Sequence, residues 1–277
     1  MNLLTSHFNH QLIAAGFPDN LHIEWSLGYC QGDGVAFYGA LSFDDLVLLH
    51  QKLYPKARRQ QRMFTRLVKA IEEWDYNEEF EISRNSFGYH YSHWNTMTLT
   101  ICSADTLRFF DEGKKDWYFP ATNKARYTAL WDNFIGDLET YIKTVSCQLE
   151  KEGYSILDAT PYASQVAYKF ETANYQVELL TNPTDLNYFD DEEGQWLCQE
   201  VLRANLQFAD LSVEIKDKKT GIVLGSESYG YVTYPEKDHS FAGVRYELIR
   251  EAIRDARSQY GLIARQATLM QKQLIHC

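Results

Sequence analysis

Between Tyr127 and Leu149, apolar residues recur every three or four positions: Tyr127, Leu130, Trp131, Phe134, Leu138, Tyr141, Ile142, Val145 and Leu149. Only a long amphipathic helix puts all nine on one stripe, and that stripe must be buried against something. The run predicts a helix from Thr122, with Gly153 as its stop. Two other stretches alternate instead. Leu21, Ile23, Trp25, Leu27 and Tyr29 share one strand face, and Val35, Phe37 and Gly39 continue beyond Asp33-Gly34. Asp-Gly tolerates positive φ at both positions, so this is a hairpin signal. A second hairpin, "ADLSVEIKDKKTGIVLGSESYGYVTY", turns at "DKKTG".

Further elements fill the gaps. Ser42 caps a helix over "FDDLVLLHQKLY", with Asp44 and Asp45 favourably placed against its dipole. After Pro55, Met63, Leu67, Ala70, Ile71 and Trp74 lie on one helical face. "EEFEIS", "TMTLTICSA" and "YQVELL" read as strands; "PYASQVAYKF" and "DEEGQWLCQEVLRANL" read as helices. The N-terminal "MNLLTSHFNHQLIAAGF" lacks a basic region and a small-residue cleavage site, so it reads as a short amphipathic helix and not a signal peptide. The expected fold is α+β: an antiparallel sheet from two hairpins plus extra strands, packed against long helices. The 277 residues read as a single α+β domain over 1–277, with 153–183 as the stretch where it would subdivide.

Near the C-terminus, Tyr246, Ile249, Ile253, Ala256, Tyr260, Ile263, Ala267, Met270 and Leu274 step three and four throughout. Such a seam belongs either to a core helix lying across the sheet or to a partly exposed face that pairs with a second copy, as a homodimer, or with a partner. Gly261 weakens this helix by roughly 1 kcal/mol and marks a place for a bend.

Charge and cysteine usage narrow the setting. The formal net charge is −11, a field that repels nucleic acid and draws basic partners, so direct nucleic-acid binding is not expected. The five cysteines are odd in number, widely spaced and free of any CxxC, which fits reduced thiols in a cytoplasm. No apolar run reaches membrane-spanning length, so a soluble protein with no membrane partner is expected.

Chemistry is harder to place. "QGDG" has neither the Lys-Ser/Thr of a phosphate loop nor a helix after it, so no helix dipole faces a phosphate. It reads as a hairpin tip whose functional version would expose Gln31 and Asp33 beside Tyr29 and Tyr38 as partner contacts. Cys30 would serve as a nucleophile only with a base from His22, His90 or His93. His90 and His93, three apart in "HYSHWN", point to opposite faces of a strand, and no HExxH occurs. No metal and no cofactor are therefore expected, and no catalytic residue is assigned. Acids cluster at Glu72, Glu73, Asp75, Glu78, Glu79 and Glu81, and again at Asp185, Asp190, Asp191, Glu192 and Glu193. Lys56, Arg58, Arg59, Arg62, Arg66 and Lys69 form a basic stretch with no acid inside it. Solvated helix faces explain such runs; so would acidic patches that occupy a basic, nucleic-acid-binding groove on a partner.

Taken together, "WSLGYCQGDGVAFYG", "YHYSHWNTMTL" and "LSVEIKDKKTGIVLGSESYGYV" resemble, in the same order, a loosely described group of bacteriophage and mobile-element proteins. Some of its members are labelled antitoxin-like. The resemblance implies a phage or mobile-element setting in a bacterial cytoplasm and assigns no catalytic residue. Cys30 stands where that group has Ser as readily, which argues against an essential thiol. The expectation is a non-enzymatic binding protein that inhibits a host defence complex, of anti-CRISPR or anti-restriction type, by acidic mimicry of nucleic acid. The alternatives are an antitoxin-like neutraliser of a basic toxin, and an enzyme using residues 29–33 with His90 or His93.

Overall fold

The computed structural model describes residues 2–30, 32–73, 80–84, 97–100, 124–187, 189–204, 206–238 and 240–275. The fold is α+β, with two four-stranded antiparallel sheets and long helices. The chain divides into two compact units, Leu4–Tyr154 and Ser155–Cys277, the second including Met1–Leu3.

The first unit contains α1 (Leu3–Ala15), β1 (His22–Ser26), β2 (Gly34–Leu41), α2 (Phe43–Leu53), α3 (Arg58–Glu73), β3 (Phe80–Arg84), β4 (Met97–Thr100) and most of α4 (Lys124–Leu157). Its sheet is a simple meander, β1-β2-β3-β4. Ser42 caps α2 as expected: the Asp45 amide donates to Ser42 Oγ, and the Asp45 carboxylate accepts from the Ser42 amide. The α4 stripe is buried along Trp131, Phe134, Leu138, Ile142, Val145 and Leu149. Trp131 and Phe134 meet Phe64 of α3, with ring centroids 5.8 and 4.5 Å away. Further along α4, Ser146 Oγ donates to the carbonyl of Val35 at 2.5 Å, which ties this helix to β2.

The sequence reading places a helix stop at Gly153, but α4 continues through it to Leu157. The glycine is there for space. A Cβ at Gly153 would lie 2.5 Å from Leu27 Cδ1 and 2.9 Å from Phe8 Cζ. Close approach of α1 and the end of β1 to α4, and not chain termination, requires this residue.

The second unit contains β5 (Gln165–Glu171), β6 (Tyr175–Asn182), α5 (Asp191–Ala204), β7 (Leu206–Asp217), β8 (Val223–Pro235) and α6 (Ala242–Ile275). Its sheet is again a meander, β5-β6-β7-β8. Residues 165–170, expected as part of a helix, form edge strand β5, paired with β6 from Gln165↔Thr181 to Glu171↔Gln176 with a register shift between Val166 and Tyr168. Ala, Gln and Lys favour a helix locally, but pairing with β6 overrides a preference worth only tenths of a kcal/mol per residue. The two hairpins, expected in one sheet, lie in two. Each has a further strand of its own to pair with: β3 beside β2, and β6 beside β7.

One face of the second sheet carries Val177, Leu179, Leu211, Val213 and Ile215, packed with Leu248 and Ala252 of α6. Other side chains from these strands form a chain of ion pairs through Lys169, Glu178, Lys216 and Glu214. The first half of the C-terminal seam is therefore largely core: Ile249, Ile253 and Ala256 pack on this cluster, whereas Tyr246 and Tyr260 are exposed. The helix passes through Gly261 without ending.

Candidate functional site

Strand β1 ends at Ser26, paired with Gly34, so seven residues separate the paired positions. The hairpin turn expected at Gln31-Gly32-Asp33-Gly34 is part of a longer loop, organised from within by Asp33. Its Oδ2 accepts from the amides of Gly28 and Cys30 at 2.7 and 2.8 Å and from the Tyr154 hydroxyl at 2.5 Å. Its Oδ1 accepts from Ser26 Oγ at 3.0 Å. The Asp33 amide in turn donates to the carbonyl of Cys30. Asp33, expected as an exposed contact, is only 8% exposed, because its oxygens replace the backbone partners the loop lacks.

Electrostatics follow from this arrangement. Burial opposes ionisation of Asp33, but the hydrogen bonds from Tyr154, Cys30, Gly28 and Ser26 together outweigh it. They bring its pKa down to about 2. Burial and the bond to Asp33 push Tyr154 up to about 12. Asp33 is thus a firmly ionised structural carboxylate at neutral pH. It lacks the raised pKa that suits a general acid or base.

The loop displays Tyr29. Its φ is 58°, a left-handed conformation that is uncommon for a bulky residue and costs about 1–2 kcal/mol. The hydrogen bonds around it hold that geometry. The ring is 69% exposed and lies 4.6 Å, centroid to centroid, from Tyr154. Tyr29 therefore does not continue the alternating face of β1. Gln31 lies outside the described residues. Tyr38 is half-buried on β2, where its hydroxyl donates to Glu24 at 2.7 Å and its ring meets His22 edge-on.

The thiol of Cys30 is exposed and directed to the carbonyl of Gly28 at 3.4 Å. His22 pairs with Tyr38 at the other end of β1 from the loop, roughly 13 Å of extended strand from Ser26. It is thus excluded as a base for Cys30. His90 and His93 lie outside the described residues. Among the described residues no group of three or more His, Cys, Asp or Glu side chains could hold a metal ion. No helix described is long and apolar enough to cross a membrane.

The acidic runs are in separate units. Glu72 is exposed near the end of α3 and Glu73 is its last residue; Asp75, Glu78 and Glu79 lie outside the described residues. Asp190, Asp191, Glu192 and Glu193 are all exposed at the start of α5. Asp190 Oδ1 accepts from the Glu193 amide at 2.8 Å, an N-cap, and the other three occupy the first turn, where the helix dipole favours negative charge. Glu193 also accepts from the Tyr231 hydroxyl of β8 at 2.6 Å. On α3, Arg59, Arg62, Arg66 and Lys69 are exposed along one stripe, opposite the buried Phe64, Leu67 and Ile71.

Sequence reasoning missed Tyr154 and Ser26, the two side chains that complete the Asp33 cluster. It also missed His7, buried and 2.8 Å from Glu152 on the same end of α4. No local motif announces them, since they lie on α1, β1 and α4 and meet only through the fold. No protein-family model matches the chain, nor does any curated protein or any solved structure.

Proposed function

We propose that this chain is a non-enzymatic binding protein of a phage or mobile element, and that it blocks a basic, nucleic-acid-handling defence complex of a bacterial host. The observation that carries the binding reading is the 27–33 loop. Its one carboxylate is consumed by four hydrogen bonds, and among its described residues it displays, beside the Cys30 thiol, an aromatic ring held in a strained conformation. Pre-organised tyrosines give large contact area at low entropic cost, which is how binding surfaces are built. Target chemistry is argued from charge. A net −11 and the exposed Asp190–Glu193 turn favour a basic partner surface, and like-charge repulsion disfavours free nucleic acid. The resemblance to phage and mobile-element proteins supports the host setting.

The experiment is phage plating. The protein is expressed in bacteria carrying either an active CRISPR system or an active restriction system, each challenged with a phage that system normally excludes. Recovery of plaques on one host, and no effect on a host without the system, is the expected result. Unchanged exclusion on every defended host, with the protein expressed and folded, contradicts the inhibitor reading.

A further inference from the structure

A cavity of about 370 Å³ lies between α6 and the second sheet. Its floor is Val177, Ile215 and Leu224, and Ile253 and Ala256 of α6 form its roof. Tyr260, largely exposed one turn further along α6, stands at its edge together with Tyr175. Among the described lining residues one carries a charge, Arg257. Nearby acids are engaged elsewhere. Asp255 accepts from the Ser226 amide at 3.1 Å and from Gln259, and Glu171 pairs with Lys169 and Lys218.

The walls are fixed independently of any occupant. Gly225 of β8 lets α6 approach until a Cβ there would stand 2.4 Å from the Ala256 nitrogen, and the Ser226–Asp255 bond locks the same point. The β5–β6 turn is tied by Thr172, whose amide donates to the Tyr175 carbonyl at 2.8 Å and whose hydroxyl accepts from the Tyr175 amide at 3.0 Å. An apolar, pre-formed cavity of this size with one charged residue in its described lining has the features of a small-molecule site.

We infer that this cavity binds a small amphiphile with an apolar body and a single carboxylate, such as a medium-chain fatty acid, its tail among Val177, Ile215, Leu224 and Ile253 and its carboxylate on Arg257. A guanidinium presents paired donors that match a carboxylate's two oxygens. This site is independent of the partner reading above.

The test is calorimetry of the full chain with sodium decanoate, 1-decanol and decyltrimethylammonium. Decanoate binds at one site per chain and more tightly than the other two. Arg257→Gln, a change at an exposed position, weakens decanoate roughly tenfold or more while leaving decanol unchanged. Leu224→Trp, which fills the cavity from the sheet side, abolishes both. Equal affinity for the decyl cation, no saturable decanoate binding, or binding indifferent to both substitutions overturns the assignment.

Discussion

The Tyr154 hydroxyl donates to the Asp33 carboxylate at 2.5 Å across 121 residues of sequence, so the tip of the first hairpin is clamped by the end of α4. Tyr154→Phe removes one of four donors and leaves the ring in place beneath Tyr29. It should cost about 1–2 kcal/mol in urea unfolding, and the Asp33 carboxyl should titrate higher than about 2 by NMR. Asp33→Asn does more harm. One acceptor oxygen becomes a donor facing donors, so roughly 2–3 kcal/mol is expected, together with loss of the left-handed geometry at Tyr29.

His50 gives the protein an acid-sensitive core. It is 1% exposed, stacked 4.1 Å from Phe64, and neither ring nitrogen has a hydrogen-bond partner among the described residues. Burial lowers its pKa from 6.5 to about 4. Between those values the unfolded chain binds a proton that the folded chain refuses, so this stability is present above 6.5 and is lost as pH falls towards 4. Asp33 adds a second, lower window, present above 3.8 and lost towards 2. His50→Leu should flatten the stability slope between pH 6.5 and 4, measured by urea unfolding at each pH. An unchanged slope would contradict the assignment.

Gly225 and Gly230 lie on the same strand and should respond very differently to alanine. At Gly225 a Cβ meets backbone atoms of α6, Ala256 N at 2.4 Å and Ala252 O at 2.7 Å; at Gly230 nothing lies within 4 Å. Gly225→Ala should cost about 3 kcal/mol or more, because backbone cannot rotate away, and Gly230→Ala should stay within about 0.5 kcal/mol. Thermal unfolding of the two variants compares them directly.

The acidic start of α5 separates structure from recognition. Asp190→Ala removes the N-cap and should cost about 1 kcal/mol. Glu192→Gln should leave folding within about 0.5 kcal/mol, since the side chain is exposed in the first turn. Chemical denaturation checks both, and Glu192→Gln can then enter binding assays free of a folding defect.

What the sequence made legible was periodic. The α4 stripe, the Ser42 cap and the second hairpin rest on local spacing and are found where the pattern puts them; the first hairpin pairs as expected, but its turn is a longer loop. What it hid depends on partners distant in sequence. Residues 165–170 become a strand only because β6 is there to pair with. Gly153 looks like a helix stop until Leu27 and Phe8 are seen pressed against it. Asp33 looks like an exposed turn residue until Tyr154 and Ser26 close over its carboxylate. Of the candidate contacts, Tyr29 is displayed, whereas Asp33 serves the loop itself.

Binding of a host complex through the displayed loop, as proposed, is put to the test by parallel affinity capture. Wild type and Tyr29→Ala, matched for thermal stability, are used as bait in nuclease-treated lysate from a bacterial host with an active defence system, and the captures are quantified by mass spectrometry. The expected result is a stoichiometric, nuclease-resistant defence complex on the wild type and at least a tenfold loss on Tyr29→Ala. The same complex captured equally by both would contradict the loop's role, and capture of no complex by the wild type would contradict the binding reading itself.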